Sequence, residues 1–278
     1  NMAGVWIDRV NRAARPDAAR RITGTKGVHI VVQLPPDCAD YGVATLNREL
    51  EGLYCIPWRG MHYFGPTETL FEGDPDDIRP TEPEIEWLIG EANHLLPALN
   101  LKRKDVFYAW AGVRPLTYDP ALPKGKRSRE LHDLAGDGMP NVFAMTAGPV
   151  MSHRSAGREV VDAVRARMAP SGAAQEVSYR PRLFPDDQNS PPLLHEDTRA
   201  KLADLRHAAA HEHAATLVDL LFRRVGAGWT RDMASEAAPQ AARIMGDVLG
   251  WDEARVAAEV AAYRAHLERQ HAFPGPKV

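Results

Sequence analysis

The chain has 278 residues, 44% of them hydrophobic and 26% charged, with a formal net charge of -3 and a pI near 6.4. That balance argues against a nucleic-acid binder, which would carry a basic face or stripe, and no apolar run reaches the length of a membrane span. The length suffices for one or two domains, each with its own core.

In chain order, residues 28–34 (VHIVVQL) are rich in β-branched side chains and predict a strand. Residues 53–58 and 61–65 flank Arg59-Gly60 and predict a hairpin. Residues 67–83 carry an Asp and Pro cluster and predict a surface loop. Thr81 and Glu84 have capping-box spacing, and Ile85, Leu88, Ile89, Ala92, Leu95 and Leu96 follow at helical period, so a helix is expected over 82–96. A third strand over 106–113 would complete an antiparallel sheet that roofs a binding site.

Residues 141–146 predict a strand and 152–168 a helix whose Ala156, Val160, Val161, Val164 and Met168 share one face. The stretch 170–192 has no period and predicts a linker. Beyond it, 196–224, 234–250 and 252–270 are Ala-rich and amphipathic, which predicts a separate helical domain. Cys38 and Cys55 have no Cys-x-x-Cys spacing, so the sequence implies structural, inert thiols in a reduced compartment.

Three places carry chemistry. A strand that ends in small residues and opens a helix at Ala147-Gly148-Pro149 leaves unpaired N–H groups and a positive dipole end, which suit a developing anion. Arg114 offers a planar fork to a carboxylate or phosphate, and Pro115 holds it out of helical conformation at a strand end. His29 has an imidazole whose ordinary pKa suits proton removal. By contrast, Gly226-Ala227-Gly228 lacks the third glycine of a dinucleotide turn and reads as a helix stop, and Gly125-Lys126-Arg127-Ser128 has no upstream glycine at P-loop spacing. His207 and His211 lie one helical turn apart without a third ligand, so no metal is assigned.

Four short motifs, residues 1–6 (NMAGVW), 25–32 (TKGVHIVV), 112–116 (GVRPL) and 145–154 (MTAGPVMSHR), stand in an order and spacing that resemble the FAD-dependent glycerol-3-phosphate dehydrogenases. The resemblance runs from the first residue to about Phe273. It implies an α+β fold: an antiparallel-sheet substrate domain with the closing strand and helix of an FAD-binding domain, followed by an all-α C-terminal domain. The implied divisions are 1–20 and 119–169 for the FAD-binding domain, 21–118 for the substrate domain, 170–194 for the linker and 195–272 for the helices.

The cofactor so implied is FAD, with Gly148, Pro149, Val150 and Met151 facing the flavin pyrimidine ring. Arg114 would hold the substrate and His29 would assist deprotonation, with Lys26, Thr67 and Arg129 also binding substrate. The substrate would be a small polyol phosphate, and a quinone or oxygen would take the electrons. The family's Gly-Gly-Lys is replaced by Ala147-Gly148-Pro149, which removes a cation suited to a phosphate.

The family's opening Gly-x-Gly-x-x-Gly segment has no counterpart here, so the sequence predicts a fragment or one half of a split protein, inactive alone, with its FAD-binding half supplied in cis or by a second chain. A cytoplasmic protein, peripheral to the inner membrane in quinone-linked form, and a homodimer complete the expectations. The competing expectation is a decayed relative acting through its helices as an interaction module.

Overall fold

The structure is a computed structural model and describes residues 1–168, 189–194 and 198–274. It divides into two compact units: Asn1–Gly27, Glu68–Ile78 and residues 112–168 form the first, and Val28–Thr67, Arg79–Ala111 and the described residues from 189 onward form the second.

The second unit is built on strands β1 (Ile22–Val32), β2 (Val43–Leu46), β3 (Gly52–Trp58), β4 (Met61–Gly65) and β6 (Val106–Thr117), of which β1 and β6 begin or end in the first unit. Its ladders run in the order β2-β3-β4-β1, all antiparallel, and β6 also pairs with β1. The β3–β4 turn is closed by Arg59 and Gly60 with φ of 50° and 78°, the left-handed pair that matches strand twist in a two-residue hairpin. Alternation along β1 divides the sheet's side chains: Val28, Ile30 and Val32 enter one core with Phe64, Ile85, Leu88 and Ala92, while Val31 enters another.

Helix α2 (Glu82–Leu95) covers the first of these cores. It starts where the sequence places it, with the Glu84 carboxylate accepting from the Thr81 N–H at 2.9 Å and hydroxyl at 2.7 Å. The second core joins Val31, Met61, Phe107 and Tyr108 of the sheet to Leu205, Leu217, Leu221, Met245, Tyr263 and Leu267 of the C-terminal helices. The C-terminal helices α4 (Leu202–His211), α5 (Ala238–Leu249) and α6 (Glu253–His271) are present as expected, and they share a core with the sheet.

The expected helix over 196–224 also breaks in the structure. Residues 195–197 and most of the expected linker lie outside the described residues. After α4 the chain turns, His213 adopts φ 56°, and a π-helical turn at Asp219–Arg224 begins under its own cap. There the Asp219 carboxylate accepts from the Thr216 N–H at 3.0 Å and hydroxyl at 2.8 Å. That Thr-x-x-Asp spacing was a readable start signal that helical periodicity overrode. Gly226, at φ 70°, does stop the segment as expected.

The first unit holds α1 (Ile7–Ala14), β5 (Thr69–Leu70), the two-stranded sheet β7 (Glu130–Asp133) with β8 (Phe143–Thr146), and α3 (His153–Arg165). β5 pairs with β1 through Thr25 opposite Leu70 and Lys26 opposite Thr69, so the expected loop over 67–83 contains a short strand. Ile7, Ile22, Leu134 and Ala144 form its small core. On α3 only Ala156 is buried; Val161 and Val164, expected on a buried face, are exposed.

Candidate functional site

In the first unit Arg114 lies near the end of β6, half-buried, with its guanidinium laid over the β1 backbone at Gly27. A Cβ built on Gly27 would lie 2.5 Å from Arg114 Nη2 and 2.7 Å from Nη1. Glycine at 27 thus leaves the space that the guanidinium occupies. Lys26 precedes it, half-buried on β1 and opposite Thr69.

The turn after β8 takes positive φ on both sides of its peptide. Ala147 has φ 50° and Gly148 φ 83°, and a non-glycine residue held at positive φ costs about 1–2 kcal/mol. The Ala147 N–H donates to the Pro115 carbonyl at 3.1 Å and the Gly148 N–H to the Arg127 carbonyl at 3.3 Å. The Gly148 amide is thus bonded within the chain, and Gly148 lies close to Arg129, whose Cβ would lie 3.0 Å from an added Cβ.

Pro149, without an N–H, caps a 3-10 turn at Val150–Ser152 that leads directly into α3. Val150 and Met151 are 84% and 78% exposed. The first N–H groups of a helical segment have no carbonyl behind them within it. The start of this segment therefore presents two exposed apolar side chains beside such donors.

Arg129 is tied to the same helix start. Its Nε donates to Glu159 at 3.0 Å and its Nη1 to the Ser152 and Ser155 hydroxyls, each at 3.2 Å. Its charge is compensated by Glu159, and its geometry is that of a brace on the turn. The neighbouring Arg127 is ion-paired with Glu68.

In the second unit His29 is half-buried on β1, stacked on Trp110 with centroids 5.1 Å apart and planes 17° from parallel, and edge-on to Tyr63 at 5.4 Å. Its Nδ1 is buried. Gly65 lies against the ring, with an added Cβ 2.5 Å from Cδ2. Thr67 is 4% exposed, and its hydroxyl accepts from the Val28 N–H at 2.9 Å while its own N–H donates to the Val28 carbonyl at 3.1 Å. Thr67 therefore fixes the strand residue next to His29. Sequence reading missed the aromatic surroundings of His29, which Tyr63 of β4 and Trp110 of β6 supply.

The first unit thus carries a strand-to-helix turn with Ala147 at positive φ and a strand-end arginine, and the second an aromatic-lined strand histidine. The sequence signature described as FAD dependent oxidoreductase matches residues 1–163, and that of the C-terminal domain of alpha-glycerophosphate oxidase matches 173–256. A glycerol-3-phosphate dehydrogenase of Synechocystis is 35% identical over 183 residues, covering 62% of this chain and 33% of the relative. An aerobic glycerol-3-phosphate dehydrogenase of Staphylococcus haemolyticus is 29% identical over 173 residues, covering 60% and 30%. The solved glycerol-3-phosphate dehydrogenase of Bacillus halodurans, complexed with FAD, shares the fold at a TM-score of 0.70 and 19% identity, over 100% of this chain and 63% of that one.

The chain belongs to the FAD-dependent oxidoreductases and, among them, to the family of the FAD-dependent glycerol-3-phosphate dehydrogenases. FAD is the cofactor of that family. The chain spans about a third of the length of the curated relatives it matches. Among the described residues no helix is long and apolar enough to cross a membrane.

Because the atoms opposing a Cβ at Gly27 are the far end of a flexible side chain, Gly27→Ala should leave thermal stability within about 1 kcal/mol of the parent while displacing the Arg114 guanidinium. Melting curves read the first effect. A loss of more than about 2 kcal/mol would mean that Arg114 cannot move aside.

Proposed function

We propose that this chain supplies the substrate side and the flavin-edge turn of an oxidoreductase that oxidises glycerol 3-phosphate to dihydroxyacetone phosphate. FAD, when bound, accepts the hydride from the carbinol carbon. Arg114 holds the anionic end of the substrate through its planar fork. His29 takes the hydroxyl proton at Nε2, its Nδ1 being buried. The N–H groups of Val150 and Met151 stabilise negative charge at the edge of the cofactor. The dinucleotide half of the cofactor is left to the part of the relatives' length that this chain does not span, in cis or in a second chain, and a quinone or oxygen takes the electrons.

The observation that carries this reading is the Arg114 guanidinium packed over Gly27, a glycine within the family-like motif at residues 25–32. In the flavin-loaded form, Arg114→Ala should slow flavin reduction by glycerol 3-phosphate more than about tenfold, equivalent to about 1.4 kcal/mol of transition-state binding. An unchanged single-turnover rate would remove Arg114 from the site.

One observation favours a related reaction on a different substrate. Position 149 is proline, and Arg129, which lies against Gly148, is already compensated by Glu159. A secondary alcohol carrying a carboxylate in place of a phosphate would need fewer cations than the family substrate. Faster flavin reduction by a 2-hydroxy acid than by glycerol 3-phosphate would decide for it.

A further inference from the structure

Cys38 and Cys55 are the chain's two cysteines, and both are free thiols. Cys55 lies on β3, 1% exposed, with its side chain in the core formed by Val28, Ile30, Phe64 and Leu88. Cys38 ends a 3-10 turn at Pro36–Cys38, is partly exposed, and packs against the same core. Both therefore lie on one face of the sheet.

The intervening backbone turns back on itself at this place. The Tyr41 N–H donates to the Cys38 carbonyl at 3.0 Å, an added Cβ on Gly42 would lie 3.4 Å from the Cys55 carbonyl oxygen, and Val43 is the direct ladder partner of Cys55. Burial pushes the Cys55 thiol up to about 11, and a charge on Cys38 is near enough to add to that shift. The arrangement pairs a partly exposed cysteine with an enclosed one.

We propose that Cys38 and Cys55 form a peroxide-sensitive thiol pair that closes into an intramolecular disulfide. The Cys38 thiolate attacks the O–O bond of hydrogen peroxide and becomes a sulfenic acid, and the released hydroxide leaves as water with the proton the thiol gave up. The Cys55 sulphur then displaces the sulfenic oxygen, which leaves as water with the Cys55 proton. Two thiols lose two electrons in all, and one peroxide becomes two waters. The inert thiols expected from the sequence are replaced in this account by a modification site that is independent of the flavin chemistry.

The test is a peptide map of the full chain after hydrogen peroxide treatment and trypsin digestion without reductant. Cleavage after Lys26, Arg48 and Arg59 places the cysteines on separate peptides, residues 27–48 and 49–59. The expected result is one linked pair that dithiothreitol separates, from a protein that stays unlinked to other copies on a non-reducing gel. In Cys55→Ser, Cys38 should stall as a sulfenic acid that dimedone traps, whereas little is trapped in the parent chain. Overoxidised Cys38 beside an intact Cys55 thiol, disulfides only between copies, or equal dimedone labelling of parent and variant would each overturn the proposal.

Discussion

Gly65→Ala should destabilise the protein by on the order of 3 kcal/mol. Gly65 ends β4 with φ 152°, in the region that L side chains rarely adopt. An added Cβ would lie 2.5 Å from His29 Cδ2 and 2.7 Å from the Val28 carbonyl oxygen. Neither neighbour can yield easily: Val28 is fully buried and its N–H is bonded to Thr67, and the His29 ring is stacked on Trp110. Backbone strain and overpacking therefore add. Gly27, whose added Cβ would meet only a flexible guanidinium, offers the contrast. Chemical denaturation of both variants is the measurement, and a Gly65→Ala variant as stable as Gly27→Ala would refute the packing argument.

Lowering the pH from 7 to 5 should remove about 2 kcal/mol of stability through His271 alone. His271 ends α6, 7% exposed, stacked on Phe222 with centroids 4.9 Å apart, and its Nδ1–H donates to the Ala109 carbonyl at 3.0 Å. Burial, with the nearby His266 adding, pushes its pKa down to about 4. The unfolded chain, with an ordinary histidine pKa near 6.5, takes up the proton first as the pH falls. The contribution is thus fully present above that value and is lost as the pH falls toward the folded pKa. His266 and His132 are lowered as well, chiefly by burial, and act in the same direction. Unfolding free energies at pH 7 and pH 5 for the parent and for His271→Gln test this. The difference between the two pH values should shrink in the variant, and an identical pH response would exclude His271 as its source.

Much of the sheet was legible because its signals are local. The Thr81 and Glu84 cap, the Arg59-Gly60 turn and the β-branched run after Gly27 each specify a backbone conformation without help from distant residues. The C-terminal helices were legible as helices but not as partners, since alanine-rich periodicity says which face is apolar and nothing of what covers it. The extended backbone at position 114 was readable because the following proline constrains it. Arg129 was not, because its compensation by Glu159 and the two serines depends on how the β7–β8 sheet presents it to α3. The Gly148 amide likewise gave no sign that the Arg127 carbonyl would occupy it.

The core that Tyr108 and Met61 share with Leu217 and Tyr263 sets a limit on how this protein can be taken apart by evolution. Tyr108 also donates to the Trp229 carbonyl at 3.1 Å. A gene rearrangement that moved the terminal helices to another host would strip an apolar face from the donor sheet and leave the cargo without the surface that solidifies it. Sheet and helices therefore each cover an apolar face that the other would otherwise leave open to water.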